Sequence, residues 1–190
     1  YVMRADSPER RSAQTALWHI LIALAKMMAP VLTFTADELW QECRKLDASL
    51  PESVQLADWP EAEATQDTAL LERWSRLLAI RDVALAALEK AKNEKVVEKP
   101  LEARVELYAT ADALEFLESF APSLPNLFIV SAVSLNPAEG APVPVDEHTG
   151  VSAVAVLSDG EKCQRCWLRS STVGAIAQHP AICERCAANL

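Results

Sequence analysis

Residues 15–34 read "TALWHILIALAKMMAPVLTF", and the reading of this run decides between a membrane segment and a helical domain. Its length approaches that of a membrane span, but His19, Lys26 and Pro30 interrupt it. A charge near the centre of a bilayer is costly. The apolar residues Ala13, Ala16/Leu17, Ile20/Leu21, Leu24 and Met27/Met28 recur with the 3.6-residue period of one helix face. The run is therefore expected to be a core helix, with no membrane partner. No basic start followed by a cleavable apolar run marks a signal peptide.

Working outward, Ser7-Pro8 is a helix start, a capping serine before a proline suited to the first helical position. Pro30 should end or kink the helix near Met28. "TADE" (Thr35–Glu38) has the form of a capping box and should open a shorter helix carrying Leu39 and Trp40. Residues 47–66 hold two prolines and no sustained period, which predicts a long acidic connection. A third helix is expected from about Asp67, its stripe marked by Leu70/Leu71, Trp74, Leu77/Leu78, Val83/Leu85 and Leu88. The mixed charges of "EKAKNEK" suit its solvated end.

The texture changes at Pro100. "ARVELYA" alternates like a strand, "ADALEFLESF" returns to helical period, and "NLFIVSAVSL" and "VSAVAVLS" are β-branched runs flanking a proline-rich loop at 136–150. The predicted architecture is mainly α: a helical bundle over 1–98, a small α+β junction unit over 99–158, and a cysteine module over 159–190. No internal repeat is visible apart from the twin CxxC.

Cys163, Cys166, Cys183 and Cys186 form C-x2-C-x16-C-x2-C, a spacing suited to a closed tetrahedral zinc site. Each CxxC turn puts two sulfurs on one side of a tight knuckle. Two knuckles supply four soft thiolates and leave no open position for a reacting water, so the expected cofactor is one structural Zn2+. Thirty residues with few apolar side chains need such a metal to fold. Competing readings are two disulfides, disfavoured by the odd fifth cysteine, and a redox CxxC, disfavoured by the lack of a visible βαβ unit. His179 as a replacement ligand is another. Cys43 reads as a packed residue without chemistry.

The net charge of −9 argues mildly against nucleic acid. The tail softens this, with Lys162, Arg165, Arg169 and Arg185 against Glu161 and Glu184. Arg165 and Trp167 make a charge-plus-stacking pair suited to single-stranded nucleic acid. Equally, Trp167 could pack inside the module with the arginines merely solvated. The residues alone leave that choice open.

Residues 10–40, "RRSAQTALWHILIALAKMMAPVLTFTADELW", resemble the anticodon-binding helical region of the class I aminoacyl-tRNA synthetases of the isoleucine/valine/leucine group. "GEKCQRCW…CERC" resembles the zinc-binding tail of the bacterial-type isoleucyl enzymes, and the two in this order select that family. The resemblance implies a C-terminal part of such a ligase that grips the anticodon stem-loop of isoleucine tRNA. It makes Cys163, Cys166, Cys183 and Cys186 the metal ligands. It makes Arg165 and Trp167, with Arg169 and Arg185, candidates for tRNA contact. It further implies a cytoplasmic monomer whose ATP-using catalytic domains lie elsewhere in the full-length chain. "HILI" at His19 and "KMM" at Lys26 lie on one helix and are not the family's catalytic signatures. No catalytic residue is therefore expected here, and the piece alone should be inactive. Where relatives approach "LEA" through Gly and Ser, this chain has Pro100 in "VVEKPLEA". Two alternatives remain: a stand-alone zinc-dependent nucleic-acid-binding module, and a repair glycosylase with a similar finger, which would need an N-terminal Pro-Glu where Tyr1-Val2 stand.

Overall fold

The computed structural model describes residues 3–61 and 67–190. They fall into two compact units, divided between the acidic connection and Asp67. Residues 62–66 of that connection lie outside the described residues.

In the first unit, α1 (Pro8–Met28) starts as the sequence predicts, Ser7 Oγ accepting from Arg10 N at 3.2 Å. Pro30 sits in the turn that follows, where Leu32 N still reaches Met28 O at 2.8 Å. Helix α2 (Thr33–Leu46) begins two residues before the predicted capping box. Thr35 therefore lies inside the first turn, and no side chain caps this helix. Instead Thr33 Oγ1 donates to Ala29 O at 3.0 Å and ties the two helices across the turn.

The segment after α2 is more ordered than its composition suggested. Trp40 Nε1 donates to Pro51 O at 2.9 Å, and Gln41 Nε2 to Glu52 O at 2.8 Å. Asp37 accepts from Ser53 Oγ at 2.6 Å and Val54 N at 3.0 Å. These bonds lay a strap along α2 and drive Val54, in a short 3-10 turn (Val54–Leu56), into a core with Ala25, Ala29, Ala36 and Trp40. The packed face of α1 is thus the narrow one of Ile22, Ala25 and Met28. The larger stripe read from the sequence stays exposed within the described residues, at 63 % for Leu17 and 55 % for Ile20. One neighbouring helix and a strap cover only one narrow face.

The second unit opens with α3 (Thr68–Asn93), capped by Asp67 Oδ1 accepting from Leu70 N at 2.9 Å. Its buried residues are Leu77, Ile80, Ala84, Leu88 and Ala91, a helical stripe spent on a sheet, while Leu70, Leu71 and Trp74 stay exposed. The sheet has order β2-β1-β3. Strand β1 (Ala103–Ala109) buries alternate residues, including Val105 and Leu107, as its period predicts. Two helices, α4 (Ala111–Glu118) and α5 (Leu124–Phe128), carry the chain to β2 (Ala132–Pro137), which runs parallel to β1. After the proline-rich loop β3 (Val151–Leu157) returns antiparallel on the other side of β1.

Part of the expected strand "NLFIVSAVSL" is helical. Pro125 occupies the first turn of α5, where its missing N–H costs nothing, so Asn126–Phe128 complete a short helix. The pairing of β1 with β2 through α4 and α5 is also a βαβ unit, which the sequence did not reveal. A redox reading of the cysteines therefore loses one objection and has to be judged on the sulfur geometry.

Candidate metal centre and nucleic-acid interface

The cysteine module enters directly from β3. Gly160 (φ +86°) turns the chain so that β4 (Glu161–Lys162) can pair with β5 (Arg169–Ser170). A Cβ at Gly160 would stand 2.3 Å from the Ser170 carbonyl carbon, so only glycine fits this approach. Between the two strands lies the first knuckle. Cys163 N donates to Leu168 O at 2.9 Å, and Trp167 N returns to Cys163 O at 2.9 Å. The second knuckle ends in α6 (Glu184–Ala187), with Cys183 just before it and Cys186 on it.

The sulfurs of Cys163, Cys166, Cys183 and Cys186 all lie within 4.8 Å of one another. Cys166 and Cys183 are 3.8 Å apart, which is about the S···S spacing of a tetrahedral zinc with Zn–S bonds of about 2.3 Å. None of the five cysteines is in a disulfide. Four soft donors converging on one point fit one structural zinc and leave a two-sulfur redox pair no separate existence. His179 is exposed and stands outside the group. Cys43 is buried in the first unit, and burial pushes its thiol up, as suits an inert packed residue.

Electrostatics at the cluster are uneven. Burial pushes the Cys163 thiol up, but N–H donation from Cys166, Cys183 and Arg165 outweighs it and holds the group at about 6. Burial raises both Cys183 and Cys186; the neighbouring thiols reinforce this at Cys186, while at Cys183 hydrogen bonds from Cys186 oppose it and the Cys163 and Cys166 thiols add to it. Metal binding must displace protons from the raised thiols, so loading weakens as pH falls.

The four residues named for tRNA contact are placed differently from one another. Trp167 is 60 % exposed, so its ring is not packed inside the module. Its backbone is left-handed, φ +65°. Arg165 is half-buried, its Nη1 donating to Cys186 O at 2.5 Å and Nη2 to Asn189 O at 3.1 Å. It thereby ties the first knuckle to the end of the second. Arg169 Nη1 donates to Gly160 O at 2.8 Å, and its backbone N to Ser131 Oγ at 2.7 Å. Arg185 is exposed on α6. No lone sequence signal distinguished the tethered arginines from the exposed one, since their partners are backbone carbonyls.

Residues 2–107 match the family model described as the anticodon-binding domain of tRNA ligase. The chain belongs to that family. Residues 160–189 of this tRNA-ligase anticodon-binding chain match a second model, a zinc finger found in FPG and IleRS. The isoleucine–tRNA ligase of Caldanaerobacter subterraneus subsp. tengcongensis is 42 % identical over 194 residues, covering 100 % of this chain and 21 % of that protein. That of Halalkalibacterium halodurans is 41 % identical over 189 residues, 98 % of this chain and 20 % of the relative. The Bacillus mycoides protein of the same name is 42 % identical with the same coverage. This anticodon-binding chain thus spans about a fifth of the length of the curated relatives it matches. No helix among the described residues is long and apolar enough to cross a membrane.

Proposed function

We propose that this chain is the C-terminal, tRNA-reading part of an isoleucine–tRNA ligase and holds the anticodon stem-loop of isoleucine tRNA. The observation that carries the reading is the order of the two matches. An anticodon-binding domain over 2–107 and a zinc finger over 160–189 occur in one chain, aligned end to end with bacterial isoleucine–tRNA ligases. The division into a helical part (1–98), a junction unit (99–158) and a zinc module (159–190) belongs to the same proposal. So do its working as a monomer in the cytoplasm and its attachment to ATP-using catalytic domains outside these residues.

Cys163, Cys166, Cys183 and Cys186 hold the zinc, which supplies a rigid turn and no reacting position. Trp167 then stands on a fixed knuckle with its ring available to stack on an unpaired base. Arg185 offers a free-standing cation to a phosphate. Arg165 and Arg169 contribute charge to the same module while their tethers keep the knuckle in shape. The chain alone does not aminoacylate. Its contribution is positional, holding one end of the tRNA so that the other reaches a distant site.

The test is binding of the 190-residue chain to isoleucine tRNA and to an anticodon-altered version, across salt concentrations. The expected result is weaker binding of the altered tRNA at every salt. Equal affinity for both would sink the reading and favour a stand-alone nucleic-acid-binding module. Trp167→Ala should keep its zinc and lose ~1–3 kcal/mol of tRNA binding.

A further inference from the structure

Two other residues of the same unit share the left-handed backbone of Trp167, Lys95 at φ +60° just beyond α3 and Ile129, and Ile129 lines a cavity with Trp167. Ile129, the C-cap of α5, has φ +60° and ψ +49°. Left-handed backbone is uncommon for any residue with a Cβ and a genuine outlier for a β-branched one. Glycine is the usual choice at such a helix end. Burial does not compensate the strain, because Ile129 is 56 % exposed and Trp167 60 %. The surroundings impose both conformations: Val130 N donates to Pro125 O at 2.9 Å behind Ile129, and the cysteine knuckle fixes Trp167. Left-handed residues occur at plain helix ends, as at Lys95, and also cluster at ligand sites, so the weight falls on the cavity that Ile129 and Trp167 share.

The two side chains line one cavity of about 380 Å³, together with Pro100 and Leu101. That volume lies in the range of small-molecule and fragment sites, roughly 300–1,000 Å³. Lys99 and Lys162 also line it. Both are exposed, and neither has an ion-pair partner among the described residues. Glu102 adds one carboxylate to the lining, a group that accepts hydrogen bonds from amino-bearing bases. The lining thus combines an exposed indole, an exposed aliphatic side chain and two ammonium groups without an ion-pair partner among the described residues.

We propose that this notch takes one unstacked nucleobase of an RNA single strand, held between Trp167 and Ile129, with Lys99 and Lys162 on its flanking phosphates. The proposal rests on the tRNA-reading function and adds to it Ile129 and Lys99, to which the sequence did not point, and Lys162, which the sequence offered only as one of the tail's basic residues. Aromatic and apolar faces accept any base, and the paired cations require the phosphates on either side of it.

Glycine substitution separates a site from a turn. Ile129→Gly and Trp167→Gly both relieve the left-handed backbone, so a purely structural role predicts a fold as stable as the parent, or more so, with tRNA binding unchanged. The proposal predicts intact fold and zinc content but weaker tRNA binding, about 5- to 150-fold for Trp167→Gly and a smaller loss for Ile129→Gly. Lys99→Gln and Lys162→Gln should each lower the slope of log affinity against log salt by about 0.7.

The deciding measurement is a coupling cycle with isoleucine tRNAs carrying an abasic residue at each anticodon-loop position in turn. At one position, base removal should weaken Ile129→Gly measurably less than it weakens the parent chain, the difference being the share of the contact that Ile129 carries. If no position couples to Ile129 while the parent still discriminates anticodons, the notch is wrong and the anticodon-reading function stands. If the parent does not discriminate anticodons, that function falls first. Should Trp167→Gly lose its zinc, the Ile129→Gly arm still decides, because Ile129 lies outside the cysteine module.

Discussion

The α+β core of residues 67–158 and the cysteine module of 159–190 adjoin in sequence but are held together by different physics. The core buries a continuous apolar cluster from Leu77 on α3 through Val105 and Leu107 on β1 to Phe128 and Val151. In the module the buried cluster is Cys163, Cys183 and Cys186, with only Val173, Ile182 and Cys166 packed partly against it. A segment with that little to bury has to take its folding energy from a metal. The core needs none. The difference implies that each can be broken with the other left standing.

The largest effect should follow metal removal. Zinc bound by four thiolates contributes an apparent ~10–16 kcal/mol to folding at neutral pH. A strong chelator, or Cys186→Ala, should therefore abolish the amide dispersion of residues 159–190 in NMR spectra while the β1–β3 signals persist. Collapse of both sets together would show that the core depends on the metal too. The converse experiment is Phe128→Ala, a cavity at a residue 1 % exposed. It should cost ~3–5 kcal/mol in denaturant unfolding with zinc stoichiometry kept. Gly160→Ala probes the joint between the two, where a Cβ meets the Ser170 backbone at 2.3 Å. It should destabilise the β4–β5 pair by ~1–3 kcal/mol and weaken zinc retention against a competing chelator.

The smallest effect lies in the first unit. Hydrogen bonds from Ser53 Oγ and then Val54 N hold the Asp37 carboxyl below its usual 3.8. A depressed carboxylate contributes stability that is present above its unfolded value and lost as pH falls through its folded one. The strap over 50–57 should therefore loosen only below about pH 4. Asp37→Asn should remove that acid-side step, read by amide exchange at Val54.

How much of this was legible follows from the range of the interactions. β1 was readable because strand alternation is local, β3 because its run is β-branched, and the zinc ligands because a knuckle is a four-residue object. The strap was not, since its pins join residues 11 to 17 apart through single polar bonds. The destination of the α3 stripe was also hidden. Periodicity announces a buried face without saying whether a helix or a sheet will cover it. Arg165 looked like a surface cation, and its partners at Cys186 and Asn189 are carbonyls that leave no mark in a sequence. Ile129 reads as part of a strand in the sequence, because its β-branching outweighs the signal of Pro125 four residues before it.

The sheet order has a consequence in time. Central strand β1 is synthesised before either neighbour: β2 follows it by more than twenty residues and β3 by more than forty. Until both arrive, Val105 and Leu107 can shelter only against α3, which is already made. A ribosome pausing between 110 and 150 would thus expose an unpaired apolar strand. The first unit waits far less: α2 follows α1 within a few residues, and the strap that closes its core at Val54 follows α2 directly.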